Sequence, residues 1–555
     1  MKTKITILCS LILLNAANVL KAQNLIPDSL FAGDGIVEVN IGADEYYPQL
    51  LLQTDGKIIC GGYDFTVSNS TLHDIVRFDA CGTVDSTFGA NGIVHNAPVA
   101  FHNKAFDYAL QQDGKILVAG QSAVSNAGSL NITHVCRYNT DGTPDTSFSG
   151  NGSIEERFDP ISSGEFHSVY QLADGRITAI GKSLANINGG TNGVGIMRFH
   201  PNGAFDNSFD GDGKMVYPVV NNTSNMRGHI LQNGNIISVT MRDIGGNDDR
   251  FASYCFDATG AQVATFGSAG VFTDNVSLSY LLNPVFSDIQ TDEKIVMAAF
   301  VAPSPYVVKA MRLLPTGEKD TTFGVNGHFT YTYTSTINSV DGVRILSNGK
   351  ILITGGLNTV SSNPGFIIRL NSNGTLDSAF GANGIEILDY APGNYSSVTD
   401  VIELSNGQLL SAGETLNFFV QRHISTNNVP HISAFWQSGT VLQTTGAGTY
   451  QWYLNGSPVS GSTSDTLNAT QNGTYTVELT DVFGCSYLSA PFVLTNVGIA
   501  EASHQTDVNV FPNPFSSELI VWSSETITEI RIFDVLGNEI LKEPQMLTFQ
   551  SASRH

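Results

Sequence analysis

The sequence lacks the short motifs that mark most hydrolases and nucleotide-binding enzymes. Its 555 residues contain no HExxH pair, no GxSxG turn and no P-loop, and the 12 histidines are not grouped at metal-ligand spacing. No apolar run beyond the N-terminal region approaches the about 18 residues of a membrane-spanning helix. The sequence therefore predicts no catalytic residue, no metal ligand, no cofactor and no transmembrane span.

Basic residues are scarce. The chain has 27 Lys and Arg against 50 Asp and Glu, a net charge of −23, and charged residues make up only 14% of it. Because neutralising phosphates requires clustered Lys and Arg, this balance argues against a nucleic-acid partner. The length exceeds what one core needs, so several domains are expected.

Cysteine is rare as well. Of six cysteines, Cys9 lies in the apolar N-terminal run, which leaves an odd number and no CxxC pair. Cys60 and Cys81 share one repeat unit and could form a disulfide. The alternative, which we favour, is buried free thiols in strands. The five remaining cysteines are Cys60, Cys81, Cys136, Cys255 and Cys485.

What the sequence does contain is a phenylalanine that recurs at intervals of 57 to 61 residues. Such a regular period indicates one supersecondary unit copied in tandem. The seven positions are Phe31, Phe88, Phe148, Phe209, Phe266, Phe323 and Phe380.

Each unit is predicted to contain about four β-strands. The turn Asp113-Gly114-Lys115 leads into an alternating, β-branched run, as expected for a tight hairpin. A second run follows at Val135 to Asn139, closed by a polar turn and a Gly-rich link. Four short strands in a period of this length are typical of a propeller blade, so we predict an all-β fold.

The two ends of the repeat region complement each other. The chain begins with a lone Phe element, Asp28 to Val37, and ends with a unit that lacks one, Val401 to Arg422. We predict a seven-bladed β-propeller over residues 23–428 whose last blade is closed by residues 28–37. Closure of this kind removes exposed sheet edges.

An arginine precedes an aspartate by eight residues in five units, and the unit that departs has lost both partners, at Cys255 and Val263. Joint loss suggests a charge-assisted pair that fixes each hairpin, so we assign these positions a structural role. We predict that Arg422 pairs with Asp28. The five pairs are Arg77 with Asp85, Arg137 with Asp145, Arg198 with Asp206, Arg312 with Asp320, and Arg369 with Asp377.

At these residues the chain resembles the delta-60 repeat family, whose unit is followed closely by Gln112 to Gly152. The resemblance extends over about residues 25 to 425. It implies a bacterial propeller-like array, and it brings no catalytic residues with it.

Residues 429–497 contain Trp452 and the element Gly473-Thr474-Tyr475-Thr476-Val477, which resemble the core tryptophan and tyrosine corner of an immunoglobulin-like β-sandwich. No cysteine follows two residues after Tyr475, so the inter-sheet disulfide of antibody domains is absent. Modules of this kind in bacterial surface proteins are usually spacers.

Residues 503–555 contain Val510 to Phe515 and Ile530 to Gly537, which resemble the C-terminal sorting domain of the type IX secretion system. The resemblance implies the type IX secretion machinery as a partner, and a secreted protein or one on the outer cell surface of a Gram-negative bacterium. The family's final turn and strand have no counterpart, so we expect a truncated domain. Lys2 and Lys4 before an apolar run predict a signal peptide over residues 1–22.

Two function hypotheses follow. The favoured one is a non-catalytic binding, adhesion or scaffold protein that presents loops at Thr66 to Leu72, Ser122 to Asn131 and Ala185 to Gly193 to a glycan or a surface protein. The other is an extracellular polysaccharide-degrading enzyme with its site in the propeller channel.

Two local clusters of acidic residues are given structural explanations. Asp210-Gly211-Asp212-Gly213 suggests calcium ligands, but it occupies the same place as other Gly-rich links and is predicted to join strands. The second is a charged cluster that we interpret as a solvated loop. It consists of Asp243, Asp248, Asp249 and Arg250.

Overall fold

A computed structural model describes most of the chain, and within it every regular element is a β-strand. None of the described residues forms a helix long and apolar enough to cross a membrane. The described residues are 5–8, 25–42, 44–65, 71–96, 101–123, 131–159, 163–187, 191–219, 226–245, 248–278, 284–301, 306–333, 336–359, 363–390, 396–415, 417–425, 432–436, 440–444, 448–495, 508–511, 520–523, 530–533 and 539–543.

Six four-stranded antiparallel sheets, here blades 1 to 6, follow three short strands, β1 (Ile5–Leu8), β2 (Leu25–Pro27) and β3 (Ile36–Val39). Blades 1 and 2 contain β4 (Asp44–Leu52), β5 (Ile58–Phe65), β6 (Thr71–Phe78), β7 (Ile93–Asn96), β8 (Phe101–Leu110), β9 (Ile116–Ala123), β10 (Asn131–Tyr138) and β11 (Ser153–Glu156). Blades 3 and 4 contain β12 (Ser163–Gln171), β13 (Ile177–Ile187), β14 (Thr191–Phe199), β15 (Lys214–Pro218), β16 (Arg227–Ile230), β17 (Ile236–Asp243), β18 (Asp249–Phe256) and β19 (Val271–Thr273). Blades 5 and 6 contain β20 (Phe286–Ile289), β21 (Ile295–Val301), β22 (Val307–Leu313), β23 (His328–Thr332), β24 (Thr336–Ile345), β25 (Ile351–Asn358), β26 (Gly365–Leu370) and β27 (Ile385–Leu388). The repeated sheets confirm the predicted β-propeller class.

The last sheet, blade 7, joins both ends of the repeat region. Its strands β28 (Ser397–Glu403), β29 (Leu409–Glu414) and β30 (Phe418–Ser425) are extended by β2 and β3, which both pair antiparallel with β30. Strand β4 of blade 1 packs against β28 and β29. We call the contact between blades 7 and 1 the closing seam, since blade 7 is the sheet assembled from both ends of the repeat region.

Both faces of each blade are buried, because each sheet packs between two neighbours. In β5, Ile59 belongs to the core shared with blade 2, and the next residue, Cys60, belongs to the core shared with blade 7. Strand alternation thus directs odd and even residues of β5 to opposite seams. Strands buried on both faces have continuous apolar runs, and all seven residues of β21 are buried.

Residues 432–494 form two further sheets around Trp452 and Tyr475. The Trp452 indole donates to the Ser464 carbonyl at 2.9 Å, and the Tyr475 hydroxyl donates to the Gln471 carbonyl at 2.8 Å. The immunoglobulin-like assignment of this module stays a prediction. One sheet contains β31 (Ile432–Trp436), β32 (Thr440–Thr444) and β35 (Thr466–Ala469), and the other contains β33 (Thr449–Leu454), β34 (Ser457–Pro458), β36 (Gly473–Thr480), β37 (Ser486–Leu488) and β38 (Phe492–Leu494).

The C-terminal region contributes four short strands, β39 (Val508–Phe511), β40 (Ile520–Ser523), β41 (Ile530–Phe533) and β42 (Glu539–Glu543). Strand β39 pairs with β40, and β41 pairs with both β42 and β1. Apart from β1, the predicted signal peptide lies outside the described residues, so its assignment remains a prediction.

The Cys60–Cys81 disulfide, which the sequence left open as the less favoured alternative, does not form, and the favoured free-thiol interpretation is wrong for Cys81 and Cys485. Cys60 points into the core of the closing seam, whereas Cys81 lies in the turn after β6 and forms a disulfide with Cys485 of the following module. The remaining described cysteines, Cys60, Cys136 and Cys255, are buried free thiols, as the favoured interpretation expected.

Candidate functional site

The first strands of all seven blades line one cavity of about 340 Å³ at the centre of the propeller. In each blade, one lining residue lies six positions before the Asp or Asn of the turn that follows that strand. This position varies from blade to blade, whereas the turns and the phenylalanines repeat. Its occupants are Gln49, Asp107, Ser168, Arg227, Phe286, Gly342 and Asp400.

β-Bulges direct several of these side chains. The register between first and second strands shifts at Ala105/Asp107, Phe166/Ser168 and Val398/Asp400, among others. A bulge adds one residue to one strand and re-aims the side chain there. The channel lining therefore depends on local strand irregularities that recur from blade to blade.

Much of this polar lining connects each blade to the next. Asp400 Oδ2 accepts from the Leu50 amide at 3.0 Å, and Asp107 Oδ2 accepts from the Val169 amide at 2.7 Å. Other such contacts are Gln49 Nε2 to the Phe106 carbonyl (2.7 Å), the Gly228 amide to Ser168 Oγ (2.9 Å), His229 Nε2 with Ser287 Oγ (2.8 Å), the Ile345 amide to Asp288 Oδ2 (2.8 Å), and Arg344 to both oxygens of Asp400 (2.8 Å each). Together they join all seven blades around the channel.

Arg227 differs from the other charged residues of the channel. Its guanidinium carbon lies 4.4 Å from the centre of the Phe286 ring. Its Nε is buried and has no hydrogen-bond partner among the described residues. Burial lowers the pKa of Arg227, while the nearby carboxylate of Asp107 raises it. The cavity therefore contains a cation that is stacked on an aromatic ring but lacks an ion-pair partner within the described chain.

Two half-buried carboxyl groups face the same cavity. Burial raises the pKa of Asp107 to about 6, and it raises that of Asp341 to about 6 as well. The Asp341 carboxylate accepts hydrogen bonds from the hydroxyls of Ser339, at 2.7 Å, and Ser397. These groups change protonation close to neutral pH.

A row of aromatic rings lies beside the channel. This aromatic row consists of Tyr46, Tyr47, Tyr63, Phe106 and His167. Tyr63 stacks on Tyr46 at 5.7 Å and on Tyr47 at 6.0 Å and meets Phe106 edge-on at 6.2 Å, and Phe106 stacks on His167 at 4.6 Å between ring centres.

Tyr47 is the exposed member of the row, at 39%. Its φ of 55° is unusual for a bulky residue, and such backbone outliers occur preferentially at functional sites. Burial and the nearby Asp341 carboxylate together raise the pKa of Tyr47 to about 12, so this ring lies near the channel carboxylates.

The predicted repeat residues lie outside this cavity. All seven phenylalanines are buried, and the paired arginines stack on them. The ring centres are 4.5 Å away for Arg77 on Phe88, 4.7 Å for Arg137 on Phe148, 4.4 Å for Arg198 on Phe209, 4.9 Å for Arg312 on Phe323, 4.3 Å for Arg369 on Phe380 and 5.5 Å for Arg422 on Phe31. The structure gives these residues packing and hairpin contacts.

Five of the six predicted Arg–Asp pairs are in contact. The N–O distances are 2.9 Å for Arg77–Asp85, 2.7 Å for Arg137–Asp145, 2.8 Å for Arg312–Asp320, 2.6 Å for Arg369–Asp377 and 2.8 Å for Arg422–Asp28. In blade 3, Asp206 instead accepts from Arg176 at 2.7 Å, and Arg198 Nε donates to the Thr178 hydroxyl at 3.2 Å. In blades 1, 2, 5 and 6 a lysine occupies the turn position of Arg176 and also reaches the aspartate, at 3.0, 2.9, 3.7 and 2.6 Å, but there the repeat arginine keeps its own contact.

The remaining sequence candidates do not form a site. Arg250 pairs with Asp248 at 2.6 Å, and Asp243 accepts from the Gly245 amide at 2.7 Å. Asp249 is buried, so it is not part of a solvated loop. Asp210 lies in a turn between strands with φ of 49°. Most of the three loops predicted to bind a ligand, residues 66–70, 124–130 and 188–190 in particular, lies outside the described residues.

Sequence reasoning missed Arg227, Asp341 and the aromatic row. A signal was available, because the position six residues before each turn is polar in five units and changes chemistry between them. A structural repeat position would keep its residue type, as the phenylalanines do.

Two families match the chain. Residues 53–88, 111–148, 172–209 and 346–380 match the domain of unknown function (DUF5122) beta-propeller, and these segments are repeats of that kind. Residues 509–553 match the secretion system C-terminal sorting domain. The sorting domain marks the protein for type IX export to the cell surface or the extracellular space, and it implies contact with the secretion machinery. A search of curated proteins finds no match.

Solved structures resemble the chain at low identity. A polysaccharide lyase, Uly1, is 9% identical, with 74% of this chain and 98% of that chain covered and a TM-score of 0.43. A protein of unknown function from Dyadobacter fermentans is 10% identical, with coverages of 70% and 99% and a TM-score of 0.36. YCF48 from Cyanidioschyzon merolae is 10% identical, with coverages of 70% and 98% and a TM-score of 0.39.

Proposed function

We propose that this exported protein binds an extracellular saccharide, without catalysis, in the central channel and on the aromatic row. The observation that carries the proposal is the guanidinium of Arg227, which faces the cavity without an ion-pair partner among the described residues. A cavity of about 340 Å³ is within the usual range for ligand pockets.

The chemistry of the lining fits a ligand rich in hydroxyl groups. A guanidinium only donates hydrogen bonds and an ionised carboxylate only accepts them, whereas each hydroxyl of a sugar does both. Arg227 and Asp341 offer these two functions in one cavity. Tyr47 adds an exposed aromatic face, which packs well against the apolar face of a pyranose ring.

Binding is favoured over catalysis because the other carboxylates are already engaged. Asp400 holds Arg344 through two hydrogen bonds, and Asp107 and Asp288 accept from backbone amides of neighbouring blades. A general acid or base must be able to exchange its proton with a substrate. Groups that fasten the blades together meet that requirement poorly.

A second candidate is a polysaccharide-degrading enzyme that uses the same channel. The observation that favours it is the Tyr170 hydroxyl, 3.3 Å from His229 Nδ1, in the same cavity as Arg227. Burial lowers the pKa of His229 to about 4, so its imidazole is neutral and can accept a proton. Against it, the Tyr170 hydroxyl donates to the Gly228 carbonyl at 2.7 Å, and burial raises the pKa of Tyr170.

The test is a thermal-shift screen of the protein against neutral and uronic oligosaccharides, followed by calorimetry on any ligand that raises the melting temperature. Arg227→Gln is expected to weaken binding at least about tenfold, which corresponds to the loss of one charge-assisted contact. Tyr47→Ala is expected to weaken binding less. Arg250→Gln, which changes an arginine outside the channel, is the matched control and should bind as the wild type does.

Two outcomes contradict the proposal. Equal affinity of the wild type and Arg227→Gln would place the ligand elsewhere on the protein. Release of shorter oligosaccharides from a polysaccharide panel, abolished by His229→Ala, would establish the enzyme in place of the binding protein.

A further inference from the structure

A cluster of two aspartates and a histidine lies in the closing seam, away from the channel cavity. Asp64 is on β5, Asp74 on β6 and His95 on β7, and one potential ligand atom from each lies within 4.8 Å of the others. Asp64 and Asp74 lie at even spacing from Cys60 and Val76, which belong to the core shared with blade 7. Strand alternation therefore directs both carboxylates toward the closing seam.

The acceptor atoms of this cluster are largely unused. Asp64 is fully buried, and its carboxylate lies beside the Leu72 amide and the Asp74 carboxyl, but neither of its oxygens makes a hydrogen bond of standard geometry within the described residues. Asp74 is also fully buried. Its Oδ1 lies 2.6 Å from His95 Nδ1, and its Oδ2 has no partner in the described part of the chain. Buried carboxylate oxygens without partners are costly, since burial removes their hydration.

The surroundings add negative charge and little positive charge. Glu45 lies nearby, is 2% exposed, and accepts hydrogen bonds from the Ile41, Gly42 and Phe418 amides. Within the described residues, no lysine or arginine forms an ion pair with Asp64 or Asp74. The seam thus holds more buried carboxylates than its single imidazole can neutralise.

The backbone approaches this cluster closely at Gly42. A Cβ atom at that position would lie only 1.8 Å from Asp64 Oδ2, so no other residue fits beside the carboxylate. On the opposite side, the His95 side chain is 39% exposed. The cluster is therefore enclosed by the backbone and open to solvent through the histidine.

We propose that Asp64, Asp74 and His95 bind a divalent transition-metal cation, with Zn²⁺ as the best match, at the closing seam. An imidazole with two carboxylates suits Zn²⁺ better than Ca²⁺, which prefers six to eight oxygen ligands. Three protein ligands leave a coordination position for water, which the exposed side of His95 admits. The cation neutralises the buried carboxylates and links the three outer strands of blade 1 beside blade 7.

A second group, His73, His134 and Cys136, also has ligand atoms within 4.8 Å of one another. All three residues are buried. His134 Nδ1 contacts Ser122 Oγ at 2.8 Å, and His73 Nε2 contacts the Tyr138 hydroxyl. This group lacks an exposed member, so we assign the cation to the Asp64 cluster. Binding of zinc at the second group is the alternative that the experiment below distinguishes.

In the experiment, the full-length protein is first treated with a chelator, which is then removed. The metal-free protein is titrated with ZnCl₂ by calorimetry, and a parallel titration uses CaCl₂. The expected result is about one equivalent of bound zinc, a melting temperature that rises with zinc, and weak or no binding of calcium. Asp64→Asn and His95→Ala should each weaken zinc binding at least about tenfold. Asp55→Asn, an exposed turn aspartate in the same blade, is the matched control.

Asp64→Asn supplies a second readout. Without zinc, this variant should melt at a higher temperature than the wild type, because it removes a buried charge at nearly constant volume. Because His95 is partly exposed, His95→Ala keeps the test valid if the core variant does not fold. Absence of zinc binding to the wild type would overturn the proposal. So would undiminished binding by both variants, which would move the ion to His73, His134 and Cys136.

Discussion

The repeat arginine makes the same kind of contact at the closing seam and at an ordinary seam, but its other neighbours differ. Between blades 1 and 2, each of which is one continuous stretch of chain, Arg77 pairs with Asp85 and donates to the Thr140 carbonyl of the next blade. Between blades 7 and 1, Arg422 donates to the Ala80 carbonyl of blade 1 at 3.2 Å and pairs with Asp28 from the start of the chain.

Arg422 has further partners that no other repeat arginine has. It forms an ion pair with Asp481 of the following module at 2.8 Å, and its guanidinium carbon lies 5.4 Å from the centre of the Phe483 ring. The Cys81–Cys485 disulfide lies one residue beyond Ala80. The comparison teaches that the seam beside the blade built from both chain ends is reinforced by segments from outside the repeats, at the place where an ordinary repeat contact already exists.

The strongest way to break this comparison is Arg422→Met. The substitution leaves the Asp28 and Asp481 carboxylates, whose side chains are 2% and 8% exposed, without their cation. We expect a loss of about 3–5 kcal/mol in the free energy of unfolding, typical of breaking a buried ion pair. Urea denaturation followed by circular dichroism measures it, since all three tryptophans lie beyond the propeller.

Arg77→Met is the matched control for this prediction. It should lower the free energy of unfolding by less than Arg422→Met does, because Asp85 still has an ion pair with the Lys57 ammonium, at 3.0 Å. A double-mutant cycle with Asp28→Asn and Arg422→Met should show a coupling of about 1–3 kcal/mol. Additive losses in that cycle, or equal losses for Arg77 and Arg422, would contradict the special role of the closing seam.

Removal of the disulfide should have the next largest effect. Cys81→Ala with Cys485→Ala frees a loop closed over 404 residues, and we expect a loss of about 2–4 kcal/mol. Thermal unfolding with and without a reductant measures it. Reductant should lower the melting temperature of the wild type and leave that of the double variant unchanged, and a wild type insensitive to reductant would show that this bond does not stabilise the seam.

Acid should weaken the ordinary hairpins of the propeller in a predictable window. Burial alone would raise the pKa of Asp206, but hydrogen bonds from Ser208 and Arg176 outweigh it and hold the pKa at about 2. Because the unfolded chain binds this proton first, at a pKa near 4, the contribution is complete above about pH 4 and is lost as pH falls toward 2.

The variant Asp206→Asn measures that contribution. Its side chain is 3% exposed in the wild type, so we expect a deficit of about 1–2 kcal/mol at pH 6 that shrinks to nearly nothing at pH 2. Melting temperatures of both proteins across this range give the answer. A deficit that stays constant with pH would mean that the carboxylate charge contributes nothing.

The smallest difference is expected between Arg137 and Arg369. Arg137 Nη1 donates to the Pro201 carbonyl of the next blade at 2.5 Å. Arg369 has no such bond in the described residues. Arg137→Met should therefore cost about 1 kcal/mol more than Arg369→Met in chemical denaturation. Equal losses of unfolding free energy for the two variants would show that the inter-blade hydrogen bond does not stabilise the seam.

Local periodicity was enough to predict the propeller class from the sequence. The phenylalanine interval and the Asp-Gly turns are fixed by strand and hairpin geometry, which acts over a few residues. The joint loss of Arg and Asp in one unit pointed to the hairpin pairs. It did not foresee blade 3, where Asp206 pairs with Arg176 in place of Arg198.

The channel lining and the disulfide at the closing seam could not be predicted from local periodicity. Arg227 and Asp341 lie in different blades and meet only because seven first strands converge, a relation that leaves no spacing in the sequence. Cys81 and Cys485 are 404 residues apart, and their contact depends on how the module docks on blade 1. Contacts that repeat from copy to copy were predictable, and this extended to Arg422 with Asp28, whereas contacts outside the repeat pattern were not.

The disulfide also determines how tension crosses the molecule. A pull on any part of the chain beyond residue 485 reaches the propeller through the covalent bond to Cys81, and not only through the strand that leaves blade 7. That strand, β30, is therefore not peeled from its sheet by a force on the sorting end. A ligand held in the propeller would be connected to that end by a tether whose weakest covalent element is a single sulfur–sulfur bond.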